Sequence, residues 1–203
     1  QSLVNMMDLD LLVGSGGVLS HAPRRQQSAR MLIDAFMPEG ITQLAVDSIF
    51  MMPQLGVLAN IDKEELKDDA SQAALEVFDN DCLIRLGTCV SPVGKAKPKS
   101  KMADVTMSFK DGSTKTIEIK EGSLEMLEFP YEEVKVHIEP SRGIDVGAGK
   151  GEPLDSVIYG GVVGLIFDGR NRPITLSTDP SQRIDSLLNW SSAVDEYPKG
   201  DLF

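Results

Sequence analysis

Three glycines and a serine, Gly14, Ser15, Gly16 and Gly17, form the stretch of the sequence best suited to binding a ligand. They follow the short apolar run at 9–13 and precede a helical pattern, which predicts a strand, a glycine turn and a helix. Glycines at such a junction let backbone N–H groups approach a ligand that a Cβ atom would exclude, and a helix start favours anionic groups. We interpret the stretch as a candidate nucleotide site, with a tight turn that binds nothing as the alternative.

The spacing of the glycines fits neither of two common phosphate-binding motifs. Gly-x-Gly-x-x-Gly would need a glycine at Leu19, and no Gly-Lys-Ser/Thr follows to make a P-loop. A second glycine-rich segment at 143–151 does not fit the Walker A motif either. That motif would need a glycine at the position of Ile144 and a Ser or Thr at the position of Gly151. We predict a turn at 143–151, with an anion-binding loop as the alternative.

Residue types for nucleophilic or metal chemistry are scarce. His21 and His137 are the two histidines, and their separation in the sequence supports no Ser-His-Asp or Cys-His set. Cys82 and Cys89 fit neither Cys-x-x-Cys nor a zinc spacing. The sequence therefore predicts no catalytic residue and no metal site. For Asp47 there are two interpretations. It either binds a metal ion or the hydroxyl of a ligand, or it acts as a cap or turn residue.

Composition restricts the partners. The 203 residues contain 20 Lys and Arg against 31 Asp and Glu, a net charge of -11, which disfavours nucleic acids and anionic membranes as partners. No apolar run reaches the roughly 18 residues needed to cross a bilayer, and no signal peptide is visible. We interpret the two cysteines as reduced thiols, which indicates a cytoplasmic location. The first residue is not Met, as expected of a fragment.

Apolar periodicity predicts the elements of the first half. In order, they are a helix with Ala29, Leu32, Ile33 and Phe36 on its buried face, an apolar segment at 41–50 that is either strand or helix, a short buried helix at 51–59, a capping box at 62–65 opening a helix to about Asn80, and a strand at 82–90.

A lysine-rich segment at 95–101 predicts a linker or exposed loop, and beyond it the apolar period changes to two. The predicted elements are then a hairpin that turns at Asp111-Gly112, a strand at 131–139 with His137 exposed, strands at 157–167 and 173–176, and a helix that begins at Asp179-Pro180 with Ile184, Leu187 and Leu188 inward and Trp190 nearby.

Four blocks of the sequence, at 10–24, 44–59, 138–150 and 160–173, together resemble the glutamate mutase accessory family called MutL or GlmL. This family is unrelated to the mismatch-repair protein of the same name. The blocks span nearly the whole chain, so the resemblance is more specific than the glycine turn alone.

The resemblance implies an ATPase of the actin, hexokinase and Hsp70 group, in which Gly14, Ser15, Gly16 and Gly17 match the glycine-rich adenosine motif. It also implies a chaperone-like partner of an adenosylcobalamin-dependent mutase, which protects or reactivates that enzyme. The two phosphate motifs of such ATPases precede the adenosine motif, and only eight residues precede Leu9. We therefore expect a C-terminal fragment that neither hydrolyses ATP alone nor holds a nucleotide tightly, whereas the full-length protein uses ATP.

Our overall expectation is two modules. Residues 1–94 are expected to be an α/β module, the C-terminal part of an actin-like ATPase domain, and residues 103–203 a β-rich sandwich or barrel with a C-terminal helix. Two alternatives remain open: a fragment of a hydantoinase or oxoprolinase-like ATP-dependent enzyme, and a protein-interaction module that binds no nucleotide.

Overall fold

The fold is that of a computed structural model, which describes residues 4–60 and 67–197. The helices are α1 (Gly17–Ser20), α2 (Arg25–Phe36), α3 (Met52–Ala59), α4 (Lys67–Val77) and α5 (Pro180–Ala193), with a 3-10 turn at Met6–Asp8 and a π-helical turn at Phe78–Cys82. The strands are β1 (Leu11–Gly14), β2 (Gly40–Asp47), β3 (Leu83–Ser91), β4 (Val93–Gly94), β5 (Lys101–Ser108), β6 (Thr114–Lys120), β7 (Leu124–Leu127), β8 (Glu133–Pro140), β9 (Ile144–Asp145), β10 (Leu154–Tyr159) and β11 (Gly164–Asp168).

A mixed sheet, here called the central sheet, has the strand order β1-β2-β3-β11-β7. β1 and β2 are parallel, and the chain between them passes through α1 and α2, because a parallel pair needs a crossover connection. β3 runs antiparallel to β2 and parallel to β11, and β7 closes the sheet antiparallel to β11. Every residue of β11 is buried, as expected of a strand covered on both faces.

An antiparallel sheet, here called the outer sheet, has the order β10-β8-β5-β6. The predicted hairpin is confirmed, since β5 and β6 pair and turn through Asp111 and Gly112. Strand β8 is also confirmed: Val134, Val136 and Ile138 are buried, and His137 is exposed on the opposite face.

The molecule has three layers. Helices α2 and α5 pack on one face of the central sheet, where Leu32 and Trp190 belong to the same core. The outer sheet packs on the other face, where Val105 and Ile138 share a second core with Phe167 of β11. A mixed α/β fold with several sheets and a C-terminal helix is therefore observed. The described part of residues 103–203 does not form a separate sandwich or barrel as expected, because its strands are divided between the outer and central sheets. Burying both faces of the central sheet stabilises the fold by about 25 cal/mol for each Å² of apolar surface that is removed from water.

The two segments expected as modules share the central sheet. β1, β2 and β3 come from residues before 94, whereas β7 and β11 come from residues after 103. Residues 95–100 of the lysine-rich segment lie between β4 and β5 outside regular structure, as expected of a linker or exposed loop, whereas Lys101 begins β5.

Two predicted strands were wrong. Residues 157–167 are not one strand, because the chain leaves the outer sheet after β10 and enters the central sheet at β11. The change occurs at Gly160 and Gly161, where there is no room for a side chain. A Cβ atom on Gly160 would lie 2.0 Å from the carbonyl oxygen of Pro130, and one on Gly161 would lie 2.4 Å from the carbonyl carbon of Leu86. Residues 173–176 form no strand either, and Ile174 instead packs against the core beneath α5.

The helices differ from the predictions mainly in which faces they bury. Asp179 caps α5 as predicted, its side chain accepting from the N–H of Gln182, but Ile184 and Leu187 are exposed and Trp190 makes the buried contact. The face of α2 is confirmed apart from Phe36, which is half exposed. Helix α3 forms where predicted yet buries only Leu55 among its large apolar residues. The ambiguous segment 41–50 contributes β2, and the capping box at 62–65 lies outside the described residues.

A buried cluster of charges joins α2 and α5 to β11. Arg170 donates from Nε and Nη2 to the two carboxylate oxygens of Asp168 at 2.9 and 2.8 Å, and its Nη1 lies 2.7 Å from Asp34 on α2. Arg172 adds a 3.0 Å bond to Asp168. The guanidinium of Arg170 also stacks over the ring of Trp190 on α5, 5.1 Å from its centroid. The layers are thus joined by charge as well as by apolar packing.

Candidate functional site

The glycine turn lies at the edge of the central sheet where the parallel strands β1 and β2 end. Ser15 follows β1 directly, and Asp47 is the last residue of β2. In open α/β sheets, ligands bind in the crevice beyond the carboxyl ends of parallel strands. The turn therefore occupies a position suited to a ligand site.

The three glycines of the turn have different roles. A Cβ atom on Gly14 would lie 2.6 Å from Leu19 Cδ1 and 2.8 Å from Leu32 Cδ2, so this glycine allows the turn to pack on its own core. Gly16 has a φ of +108°, a backbone conformation that favours glycine. A Cβ atom on Gly16 or Gly17 would meet nothing within 4 Å. The backbone at these two residues is thus uncovered and can be approached closely.

Ser15 is held by Asp47. Its hydroxyl donates to Asp47 Oδ2 at 3.2 Å, and the same carboxylate accepts the N–H groups of Met51 and Met52 at 3.1 and 3.0 Å. Asp47 therefore caps the start of α3, which confirms the cap or turn role among the two alternatives. Burial alone would raise the pKa of Asp47, but the Met52, Met51 and Ser15 donors outweigh it and lower the pKa below its ordinary value.

Further hydrogen bonds fix the backbone after the turn. Ser20 donates to the carbonyl oxygen of Asp47 at 2.7 Å, and Ser28 of α2 donates to that of Leu19 at 2.7 Å. The guanidinium of Arg25 donates to the carbonyl oxygen of Ser20 at 2.9 Å. The turn is therefore held from β2 and α2, and a ligand there would meet a preformed backbone.

We assign no catalytic role to the histidine and cysteine side chains that the structure describes. His21 is exposed directly after α1, and we assign it no role. Burial raises the pKa of Cys89 to about 12 and also raises that of Cys82, so both thiols stay protonated and unreactive at neutral pH. Within residues 4–60 and 67–197, no group of three or more His, Cys, Asp or Glu side chains is arranged to hold a metal ion.

Outside the two-residue strand β9, the second glycine-rich segment consists of turns and bends, in agreement with the predicted turn. Asp145 Oδ1 accepts the N–H groups of Gly147 and Gly149 at 2.8 and 3.1 Å, and Gly151 donates to the carbonyl oxygen of Ile144. The N–H groups of Gly147 and Gly149 are therefore already paired within the segment.

Sequence reasoning missed one feature at the site and one at the opposite edge of the central sheet. It did not find that Ser20 reaches the end of β2, and it treated the Asp168–Arg172 run only as a connection between strands. The alternating charges of Asp168, Arg170 and Arg172, directly after an apolar strand, were an available signal for a buried ion cluster.

Replacing Asp47 with alanine is expected to lower the free energy of unfolding by about 1–3 kcal/mol, because the N–H groups of Met51 and Met52 at the start of α3 lose their acceptor. Urea unfolding measures this loss, and hydrogen exchange should show faster exchange at Met51 and Met52. Asp69→Ala, at an exposed position of α4, is the control and should change stability by less than about 0.5 kcal/mol. Unchanged exchange at both amides would contradict the capping role.

Comparison with known proteins gives a family match for the first part of the chain. Residues 2–74 match the family model described as MutL protein. The match covers the glycine turn, β1, β2 and α3, and it confirms the family resemblance for this segment. A search of the curated proteins found no match, and a search of the solved structures found none either. None of the helices that the structure describes is long and apolar enough to span a membrane.

Proposed function

We propose, from the MutL family match over residues 2–74, that the chain is part of an accessory protein of glutamate mutase. In this proposal, the accessory protein is a chaperone-like ATPase in the cytoplasm that protects or reactivates an adenosylcobalamin-dependent mutase. The turn Gly14–Gly17 contributes the adenosine side of its ATP site.

One observation carries the nucleotide part of the proposal. Gly16 and Gly17 leave backbone uncovered at the crevice beyond β1 and β2, where a Cβ atom would meet nothing. A flat purine ring or a ribose needs such close backbone approach, and the bonds from Ser20 and Ser28 hold that backbone in place. Because Ser15 already donates to Asp47, the surface offered to the ligand is mainly main chain.

Calorimetric titration with ATP and ADP tests the nucleotide site, using the 203-residue chain and a longer form that carries the phosphate motifs. Gly17→Val is the test variant, because its side chain would project into open space. We expect at least about a tenfold weaker nucleotide affinity in the longer form, equivalent to about 1.4 kcal/mol. Gly56→Val on α3, also at a helical glycine facing open space, is the matched control and should leave the affinity unchanged.

Two results would contradict the nucleotide proposal. The first is equal nucleotide affinity of the Gly17→Val and parent proteins. The second is strong ATP hydrolysis by the 203-residue chain alone, since the proposal assigns it only the adenosine side of the site.

The partner part of the proposal has a separate test. Glutamate mutase inactivated during turnover is mixed with the longer form of the protein, adenosylcobalamin and ATP, and its activity is followed with time. We expect recovery that requires both the protein and ATP. Recovery at the same rate without the protein would contradict the accessory role.

A further inference from the structure

Strand β10 is an edge strand, because among the described residues it pairs with β8 on one side and with no strand on the other. On that other side, Thr88 Oγ1 of β3 donates to the carbonyl oxygen of Tyr159 at 2.7 Å and accepts the N–H of Tyr159 at 3.2 Å. The main-chain groups of Tyr159 therefore face away from β8. Since this direction alternates from residue to residue in an antiparallel pair, those of Asp155 and Val157 face the same side.

The main chain of Asp155 and Val157 is unpaired on this side. Within residues 4–60 and 67–197, the N–H groups and carbonyl oxygens of these two residues have no hydrogen-bond partner beyond β10. The side chain of Val157 is 44% exposed. Unpaired donors and acceptors along a strand edge are a template for a further strand. The part of β10 at Asp155 and Val157 is here called the open edge.

The central sheet continues past the open edge. Leu11, Gln43 and Thr88 form a row across β1, β2 and β3, because each is paired with the next and paired residues share a face of the sheet. Since Thr88 contacts β10, Gln43 lies one strand further out and Leu11 two strands further out, at about 4.8 Å per strand. Leu11 is 40% exposed. The outer sheet therefore leaves this part of the central sheet uncovered.

A pocket of about 330 Å³ lies between the open edge and the central sheet. Its lining includes Gln43 of β2 together with Ser156 and Val157 of β10. Gln43 and Ser156 are half-buried, and among the described residues neither side chain has a hydrogen-bond partner. A strand added at the open edge would direct alternate side chains into this pocket, where a short polar side chain has both groups to bond with.

We propose that the open edge binds an extended segment of a partner protein, which adds a strand to the outer sheet and directs a short polar side chain, such as that of asparagine, at Gln43 and Ser156. Strand addition at a sheet edge is a recurring mode of peptide recognition. Main-chain hydrogen bonds provide the affinity, and pockets for alternate side chains provide the specificity. This inference does not depend on nucleotide binding at Gly14–Gly17.

The geometry disfavours a second copy of this chain as the occupant. Antiparallel pairing of β10 with its counterpart in a two-fold dimer would place both outer sheets side by side, with both central sheets beneath them. Because β2 and β1 continue past β10, these strands of the two copies would overlap. A single extended segment needs only the space of one strand.

Binding is measured by fluorescence anisotropy with a labelled peptide, Thr-Val-Thr-Asn-Thr-Val-Thr, blocked at both ends, whose valine and asparagine side chains share one face. Two N-methylated forms are compared with it, one methylated at both valines and one at the third and fifth residues. In a strand, only one of these two sets of N–H groups faces β10. We expect one form to bind at least about tenfold more weakly and the other to stay within about threefold of the parent peptide.

Amide hydrogen exchange, followed by NMR, locates the bound peptide. The N–H groups of Asp155 and Val157 should exchange more slowly with peptide present, because they become donors to it. Thr116 is the internal control, since its N–H faces the free edge of β6 on the other side of the outer sheet. Its exchange should not change.

Two substitutions test the main-chain and side-chain parts of the contact. Val157→Pro removes a donor from the open edge, where proline is tolerated, and should weaken peptide binding at least about tenfold. Thr116→Pro makes the same change at the free edge of β6 and should bind as the parent chain does. Gln43→Leu should abolish the preference for the asparagine peptide over a peptide with leucine at that position. Circular dichroism checks that each variant is folded.

Four outcomes would overturn the proposal. They are no binding of the peptide at concentrations up to about 1 mM, equal loss of binding in the two methylated forms, unchanged binding to folded Val157→Pro, and dimerisation of the parent chain in sedimentation equilibrium that Val157→Pro abolishes. The last outcome would assign the open edge to a second copy. The methylated peptides are tested on the parent chain, so that result does not depend on the folding of any variant.

Discussion

Replacing Asp168 with alanine is expected to lower the free energy of unfolding by about 3–5 kcal/mol. The carboxylate is fully buried and accepts hydrogen bonds from both Arg170 and Arg172. Without it, both guanidinium groups lose a counter-charge while remaining largely desolvated. Urea unfolding followed by tryptophan fluorescence measures the loss, because Trp190 is the one tryptophan and lies against Arg170.

Asp185→Ala is the control for the Asp168 substitution. Asp185 lies at an exposed position of α5, so its removal should change the free energy of unfolding by less than about 0.5 kcal/mol. A loss below about 1 kcal/mol in Asp168→Ala would show that the cluster contributes little to stability.

The same carboxylate predicts a dependence of stability on pH. Burial alone would raise the pKa of Asp168, but the hydrogen bonds and charges of Arg170 and Arg172 lower it below its ordinary value of 3.8. The folded state therefore binds this proton less readily than the unfolded state does. The stabilisation is fully present above the unfolded pKa and is lost as pH falls through the folded pKa. We expect Asp168→Asn to lose less stability than the parent between about pH 4 and 2.

Gly87→Ala is expected to cost about 4 kcal/mol or more, or to prevent folding. A Cβ atom at this position would lie 1.7 Å from the carbonyl oxygen of Gly164 and 2.8 Å from its carbonyl carbon. These atoms are main chain of β11, the neighbouring strand, and cannot rotate away. Gly87 also has a φ of +138°, which adds backbone strain for alanine. Soluble yield and thermal unfolding measure the effect.

Gly112→Ala separates backbone strain from the clash. Gly112 also has a positive φ, +83°, but a Cβ atom there meets nothing within 4 Å. We expect this control to cost about 1 kcal/mol. Equal losses in the two variants would show that strain, and not the contact between β3 and β11, explains the Gly87 effect.

Local patterns predicted the elements of the fold well but not their long-range partners. The alternation in β8 and the Asp-Gly turn of the hairpin depend on neighbouring residues, so the sequence alone predicted both. The pairing of β11 with β3 joins residues more than 70 positions apart, and no local pattern encodes it. The inward face of α5 was misjudged because Ile184 and Leu187 have the right spacing, whereas the contact with Arg170 places Trp190 inward.

The candidate site was predictable in position but not in detail. The glycines placed a turn between β1 and α1, and the structure shows that turn. Sequence could not separate the packing role of Gly14 from the open positions of Gly16 and Gly17, because that distinction depends on Leu19 and Leu32. Assignment of adenosine to the turn stays a proposal.

The placement of β11 between β3 and β7 has a consequence during synthesis on the ribosome. Parallel pairing of β3 with β11 cannot start until residue 168 has emerged, although β3 itself is complete at residue 91. Until then the nascent chain carries β3 with one unpaired edge, and such edges are templates for intermolecular association. The high contact order of this strand pair favours slow folding, so newly made chains are exposed to aggregation until residues 164–168 have been synthesised.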